Sequence, residues 1–161
     1  MAIPIQAFYL RSKLRNVELH DGIRGIGDSA FHYCKALREL HVPDRVEVIG
    51  DAAFSGCTRF TKFRCPPLVT TMGMLGGCKN MVSLEVPEII IEVERYAFSH
   101  RYSLRNIALA SNSAVGENAF HRCQDLLEIF GTEEAVVNAL KIRFNGLLIH
   151  SKMYYILTTT K

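Results

Sequence analysis

Ile26-Gly27-Asp28-Ser29-Ala30-Phe31 returns 23 residues later as Ile49-Gly50-Asp51-Ala52-Ala53-Phe54. The residues after each copy return too: Cys34 maps onto Cys57, Leu37 onto Phe60, Leu40 onto Phe63, and Val42-Pro43 onto Cys65-Pro66. The frame extends back to Phe8, with Leu14, Val17 and Leu19 in the apolar positions. Forward, a two-residue deletion leaves Met72-Gly73, Leu75, Cys78, Met81, Leu84 and Val86-Pro87 in register. Val93, Ala97-Phe98, Leu104, Ile107 and Leu109 make a fifth copy, and Val115-Gly116, Ala119-Phe120, Cys123, Leu126 and Ile129 a sixth. The anchors Phe8, Phe31, Phe54, Leu75, Phe98 and Phe120 thus recur every 21 to 23 residues.

Periods of about 20–29 residues belong to leucine-rich solenoids. The residues explain why. In Leu37-Arg38-Glu39-Leu40-His41-Val42-Pro43, Leu40 and Val42 alternate with Glu39 and His41, which predicts a short half-buried strand ended by Pro43. Val46 and Ile49 predict a second inward-facing pair. Gly27 and Gly50 suit a turn that a Cβ would hinder, and Asp28 and Asp51 are placed to cap a short helical turn carrying the Phe. One unit cannot bury such a face alone, so the units must stack. The expected fold is α/β: an L-domain-like, curved leucine-rich-repeat solenoid of about six 21–23-residue repeats over residues 1–131, with parallel strands on its concave face. A helical C-terminal cap is expected over 132–161. There Thr132 is an N-cap, Val136, Val137, Leu140 and Phe144 share a face, and Asn145-Gly146 is the stop.

The run IGDSAFHYCKALRELHVPDRVEVIGDAAFSGCTRF, residues 26–60, resembles the BspA-like class of leucine-rich repeats. That family reads roughly I-G-x-x-A-F-x-x-C-x-x-L-x-x-L-x-V-P-x-x-V, and the resemblance covers residues 3 to about 130. The first copy departs at Pro4-Ile5, the fourth lacks the Asp-x-Ala step, and the fifth has Arg101 where Cys is expected. The run from Arg143 to Tyr155 resembles a segment that follows such repeats in some algal relatives. The resemblance implies a non-catalytic protein-interaction module. The alternative is a cell-surface or secreted adhesion-type protein, or a truncated repeat fragment.

Composition narrows the classes. The 161 residues, 48% hydrophobic and 22% charged, suit one globular domain. The net charge of +3 is spread along the chain, which gives nucleic-acid binding weak support, so none is expected. No stretch reaches the roughly 18 apolar residues of a membrane span, and the apolar start lacks a basic leader region. No membrane association and a cytoplasmic location are therefore expected. Five cysteines suit reduced thiols better than a disulfide framework.

Cys34, Cys57, Cys78 and Cys123 share one repeat phase, which places them along a line as small buried side chains rather than around a metal. His32 and His121 likewise repeat with their turns, whereas a catalytic group occurs once in a distinctive context. No phosphate loop, dinucleotide fingerprint, nucleophile elbow or zincin motif is present. No catalytic residue, metal or cofactor is expected. The surface remains: the outward strand positions Glu39, His41, Lys62, Arg64, Ser83, Glu85 and Asn106 form a polar strip on which a protein partner is expected, centred on the two cations of the third repeat. Ile3, Ile5 and Phe8 lack an obvious polar cap, so self-association through the first repeat is expected, read as concentration-dependent mass in light scattering.

Overall fold

A computed structural model of the chain describes residues 1–109, 113–126 and 128–130. The expected cap at 132–161 lies outside the described residues. Ten short strands occur among them: β1 (Ala2–Ile3), β2 (Gly25–Ile26), β3 (Val48–Ile49), β4 (Lys62–Arg64), β5 (Thr71–Met72), β6 (Ser83–Glu85), β7 (Glu92–Val93), β8 (Asn106–Ala108), β9 (Ala114–Val115) and β10 (Glu128–Phe130). All pairs are parallel. One column is built from β1-β2-β3 and β5-β7-β9, with Ile3, Ile26 and Ile49 in register and then Met72, Val93 and Val115. The other is built from β4-β6 and β8-β10. In the second repeat the predicted strand is an extended segment: Leu40 and Val42 are buried and Glu39 and His41 exposed, but ladder pairing in this column begins only at Lys62.

The turn that carries the Phe is not helical, and no helix occurs among the described residues. Residues two before and two after the anchor take left-handed φ angles: 53° at Ser29 and 55° at Tyr33, 53° at Ala52 and 74° at Gly56. Alternate amides therefore face different ways. Within the turn Ala30 donates to the Gly27 carbonyl and His32 to that of Ser29, three residues back. Between them Phe31 donates to the Ala53 carbonyl, as Phe8 does to Ala30 and Phe98 to Ala119, at 2.7–2.9 Å. An α-helix would consume every amide internally; here half of them bond the next rung instead.

Inside the stack the anchors meet face to face. Phe8 lies 5.0 Å from Phe31, and Phe31 lies 5.4 Å from Phe54, both pairs at 9° between planes. Phe60 and Phe63 close around Phe54 at 5.7 and 5.5 Å, and Phe98 stacks on Phe120 at 5.3 Å. Beside this column the cysteines do more than fill space. Cys34 donates its thiol hydrogen to the Phe8 carbonyl, Cys57 to Phe31, Cys78 to Phe54 and Cys123 to Phe98, at 2.9–3.2 Å.

The repeated glycine and aspartate also act between rungs. A Cβ on Gly27 would come within 2.6 Å of the Ile5 amide nitrogen, and one on Gly116 within 2.6 Å of that of Arg95. These glycines allow close approach of the preceding rung. Asp28 accepts the amide hydrogen of Asp51 at 3.1 Å, so it caps its neighbour's turn rather than its own. The fourth repeat, two residues short, lacks the backbone that would collide at this point. The fifth repeat accordingly tolerates Glu94 at the glycine phase, and its carboxyl lies directly over Gly73. From there it faces the Asp51 carboxyl, two rungs away.

Burial, then the neighbouring Asp51 carboxyl and the charges of Glu92 and Asp28, push Glu94 up to about 7. The folded state thus holds a proton that the unfolded state, with a value near 4.5, releases. Stability from this group is complete below the unfolded value and is lost as pH rises through about 7. Thermal melts from pH 5 to 8 should show a declining melting temperature, and Glu94→Gln should flatten that decline. Phe54→Ala, in the middle of the stack, should lower stability by about 3–5 kcal/mol in a denaturant titration; an unchanged midpoint would contradict the fully buried ring.

Candidate functional site

β4 alternates exposed Lys62, buried Phe63 and exposed Arg64, because Phe63 turns inward onto Phe54 and Phe60. Its amide neighbours tie it to both sides: Thr61 donates to the Arg38 carbonyl and Val82 to that of Thr61, each at 3.0 Å. Four predicted site residues come together. Glu39, His41, Lys62 and Arg64, with Asn16, Val17 and Leu40, line an open depression of about 430 Å³. Ser83 and Glu85 occupy the β6 positions paired with Lys62 and Arg64. Asn106 begins β8, in the ladder shared with β10.

Arg64 meets the Oδ1 of Asp44. Asp44 follows Pro43 in the loop that leaves the second repeat, a position that strand alternation does not select. Both side chains are more than half exposed, so the pair orients Arg64 and adds well under about 1 kcal/mol.

A second depression adjoins the strip. It holds Lys13, Arg15, Lys35 and Arg59 with Ser12, Ala36 and Thr58. Reading the outward strand positions alone passes over it. The signal was present in the linear pattern: 10–17, 32–38 and 55–65, the legs between turn and strand position, contain no Asp or Glu.

The chemistry available to the thiols is limited by burial. It pushes Cys57 far above its ordinary value, Cys65 up to about 12 and Cys78 up to about 11, the last eased by the Arg101 guanidinium. Cys34, Cys57, Cys65 and Cys78 are in no disulfide, and with their pKa raised by burial they are poor nucleophiles at neutral pH. Among the described residues no group of three or more His, Cys, Asp or Glu is placed to hold a metal ion. Arg101 takes the cysteine's place in the fifth rung and its bond as well: one guanidinium nitrogen donates to the Leu75 carbonyl at 3.4 Å, and another meets the Met81 sulfur at 2.8 Å. The side chain is fully buried over the Phe98 ring, with Nε left without a partner. Burial lowers its pKa.

Repeated anchors, parallel single-rung strands and the thiol ladder fit one family model, the BspA type leucine-rich repeat region, which matches in six copies over residues 1–127. The chain belongs to this family. Among solved structures the repeats resemble a leucine-rich cell surface protein from Faecalibacterium prausnitzii A2-165, with 27% identity and a TM-score of 0.73 over 81% of this chain and 38% of that one. They also resemble the leucine-rich repeat protein of T. pallidum, with 22% identity and a TM-score of 0.67 over 88% of this chain and 76% of that one. A leucine-rich repeat protein from Bacteroides ovatus aligns at 19% identity with a TM-score of 0.50, over 81% of this chain and 52% of that one. No curated protein matches. The chain spans well under two thirds of the length of the F. prausnitzii protein.

Arg11 holds the cysteine phase in the first rung but is exposed, whereas Arg101 is buried there, and its energetics are testable. Replacing an unpaired buried cation by an apolar side chain of similar length removes a desolvation cost. Arg101→Met should raise stability by about 1–3 kcal/mol in chemical denaturation, and a loss of that size would mean that the two guanidinium contacts outweigh desolvation.

Proposed function

We propose that the chain is a non-catalytic module that holds a protein partner on the outward face of its second strand column. The strip comprises Glu39, His41, Lys62, Arg64, Ser83, Glu85 and Asn106. The observation that carries the reading is the depression bounded by Glu39, His41, Lys62 and Arg64, where charged, exposed side chains from consecutive rungs converge over a buried Phe63. A rigid base with long polar side chains above it is what a recognition surface requires, and no cofactor enters this role. Leucine-rich repeat proteins commonly serve as interaction scaffolds, and family membership supports the same reading.

A cell-surface adhesion role is the second reading, favoured by the surface protein of F. prausnitzii that shares 27% identity. Labelling of intact cells with an impermeant reagent separates it from the cytoplasmic location expected from the sequence. Affinity capture from native extract tests the module itself. The wild type should retain a specific protein that Lys62→Glu/Arg64→Glu loses. Retention of the same protein by both would reduce the strip to solvated surface.

A further inference from the structure

Lys13, Arg15 and Arg59 have no ion-pair partner among the described residues, and Lys35 faces only the Tyr33 ring, 5.5 Å from its centroid. All four are exposed, and they surround one depression of about 490 Å³ whose other lining residues are Ser12, Ala36 and Thr58. Arg38 and Lys79 continue the series on the same leg of the second and fourth rungs. This leg carries no acid until Asp125 in the sixth rung; Asp28, Asp51, Glu92, Glu94 and Glu117 belong to the first strand column and the turns that follow it, and Glu39 and Glu85 to the strip. Cations thus gather on the leg in the early rungs, although the net charge of the chain is only +3. Unpaired like charges held on successive rungs repel one another and are stabilised by a polyanion laid along them.

We propose that this basic ridge docks an acidic helix of a partner protein, one carrying Asp and Glu along a single face. Three observations select that class. Rungs of a parallel stack repeat every ~4.8 Å; carboxylates on one helix face recur at ~5–6 Å, close to one per rung, whereas alternate residues of an extended chain are ~6.6 Å apart. No aromatic side chain lines the depression itself, and the rings beside it, Tyr33 and Tyr102, carry Lys35 and Lys79 over their faces, where a stacking platform for a single nucleic-acid strand would have to be open. No large apolar side chain lines it either, so there is nothing to insert beneath a lipid headgroup layer. The ridge adjoins the strip, and the proposal rests on the reading of the chain as a protein-binding module, though not on the strip's own residues.

Fluorescence polarisation with the whole chain tests it. The probes are an Ala-rich helical peptide of about 20 residues with Glu on one face, a scrambled peptide of the same composition, an oligothymidylate, and vesicles containing phosphatidylserine. The faced peptide should bind best and weaken about tenfold in Lys35→Glu/Arg59→Glu. It should weaken as ionic strength rises through the range where the screening length falls below ~10 Å. Arg45→Glu/Arg122→Glu, with the same charge change at other exposed positions, should retain binding. Equal binding of the scrambled peptide, the oligothymidylate or the vesicles would overturn the proposal, as would absence of binding or indifference to the ridge reversal. If Lys62→Glu/Arg64→Glu still abolished capture of a native partner in that case, the strip reading would stand alone.

Discussion

Each rung hands alternate amide hydrogens to the next, and the rest of the structure depends on that exchange. To turn the Phe31 amide toward Ala53, the chain must enter the left-handed region on either side of the ring, at Ser29 and Tyr33. Left-handed geometry costs roughly 1–2 kcal/mol at a residue with a Cβ, and a net backbone hydrogen bond returns about 0.5–1.5 kcal/mol. The turn is thus not self-supporting. It is held by what the exchange brings together: the stacked rings, each worth about 1.5–3 kcal/mol on burial, and the thiol that reaches back to the preceding Phe carbonyl. A rung in isolation keeps the strain and loses every compensating contact, which is why the cooperative unit is the stack.

The cysteine phase illustrates how narrow the requirement is. The position must be small, apolar enough to be buried, and able to donate one hydrogen bond to a carbonyl about 3 Å away. A thiol meets all three demands. The guanidinium of Arg101 meets only the last, and does so from a longer stem with one nitrogen left over. Thiols engaged in this way, buried and far from their ionisation range, are structural donors.

The repeat, its phase and the buried face were legible because they depend on residue type at fixed spacing: Phe, Leu and Cys returning together every 21 to 23 residues demand a stacked repeat. The direction of hydrogen bonds was not legible. An Asp before a Phe turn reads equally well as a cap on its own turn or on the next, and only the stacked geometry shows that Asp28 serves Asp51. Glycine was similarly ambiguous, since a sequence does not say whether a missing Cβ serves a φ angle or a close neighbour; at Gly27 it serves the neighbour. The outward placement of Glu39, His41, Lys62 and Arg64 was legible from alternation, but the pairing of Arg64 with Asp44 joins a strand to a loop, and alternation carries no information about loops. The basic ridge escaped for a related reason: its cations come from legs with no periodicity of their own.

The shortened fourth repeat makes the rungs non-interchangeable. Nearly equivalent neighbours could in principle pair one rung out of step, burying most of the same side chains, and misassembly of this kind is a characteristic hazard of repeat proteins. Glu94 fits only above a rung that lacks the Asp-x-Ala step. Slipped by one rung, its carboxyl would meet backbone instead of the open space over Gly73, with Asp51 out of reach. One deletion and one carboxyl together make this interface of the stack unlike the others.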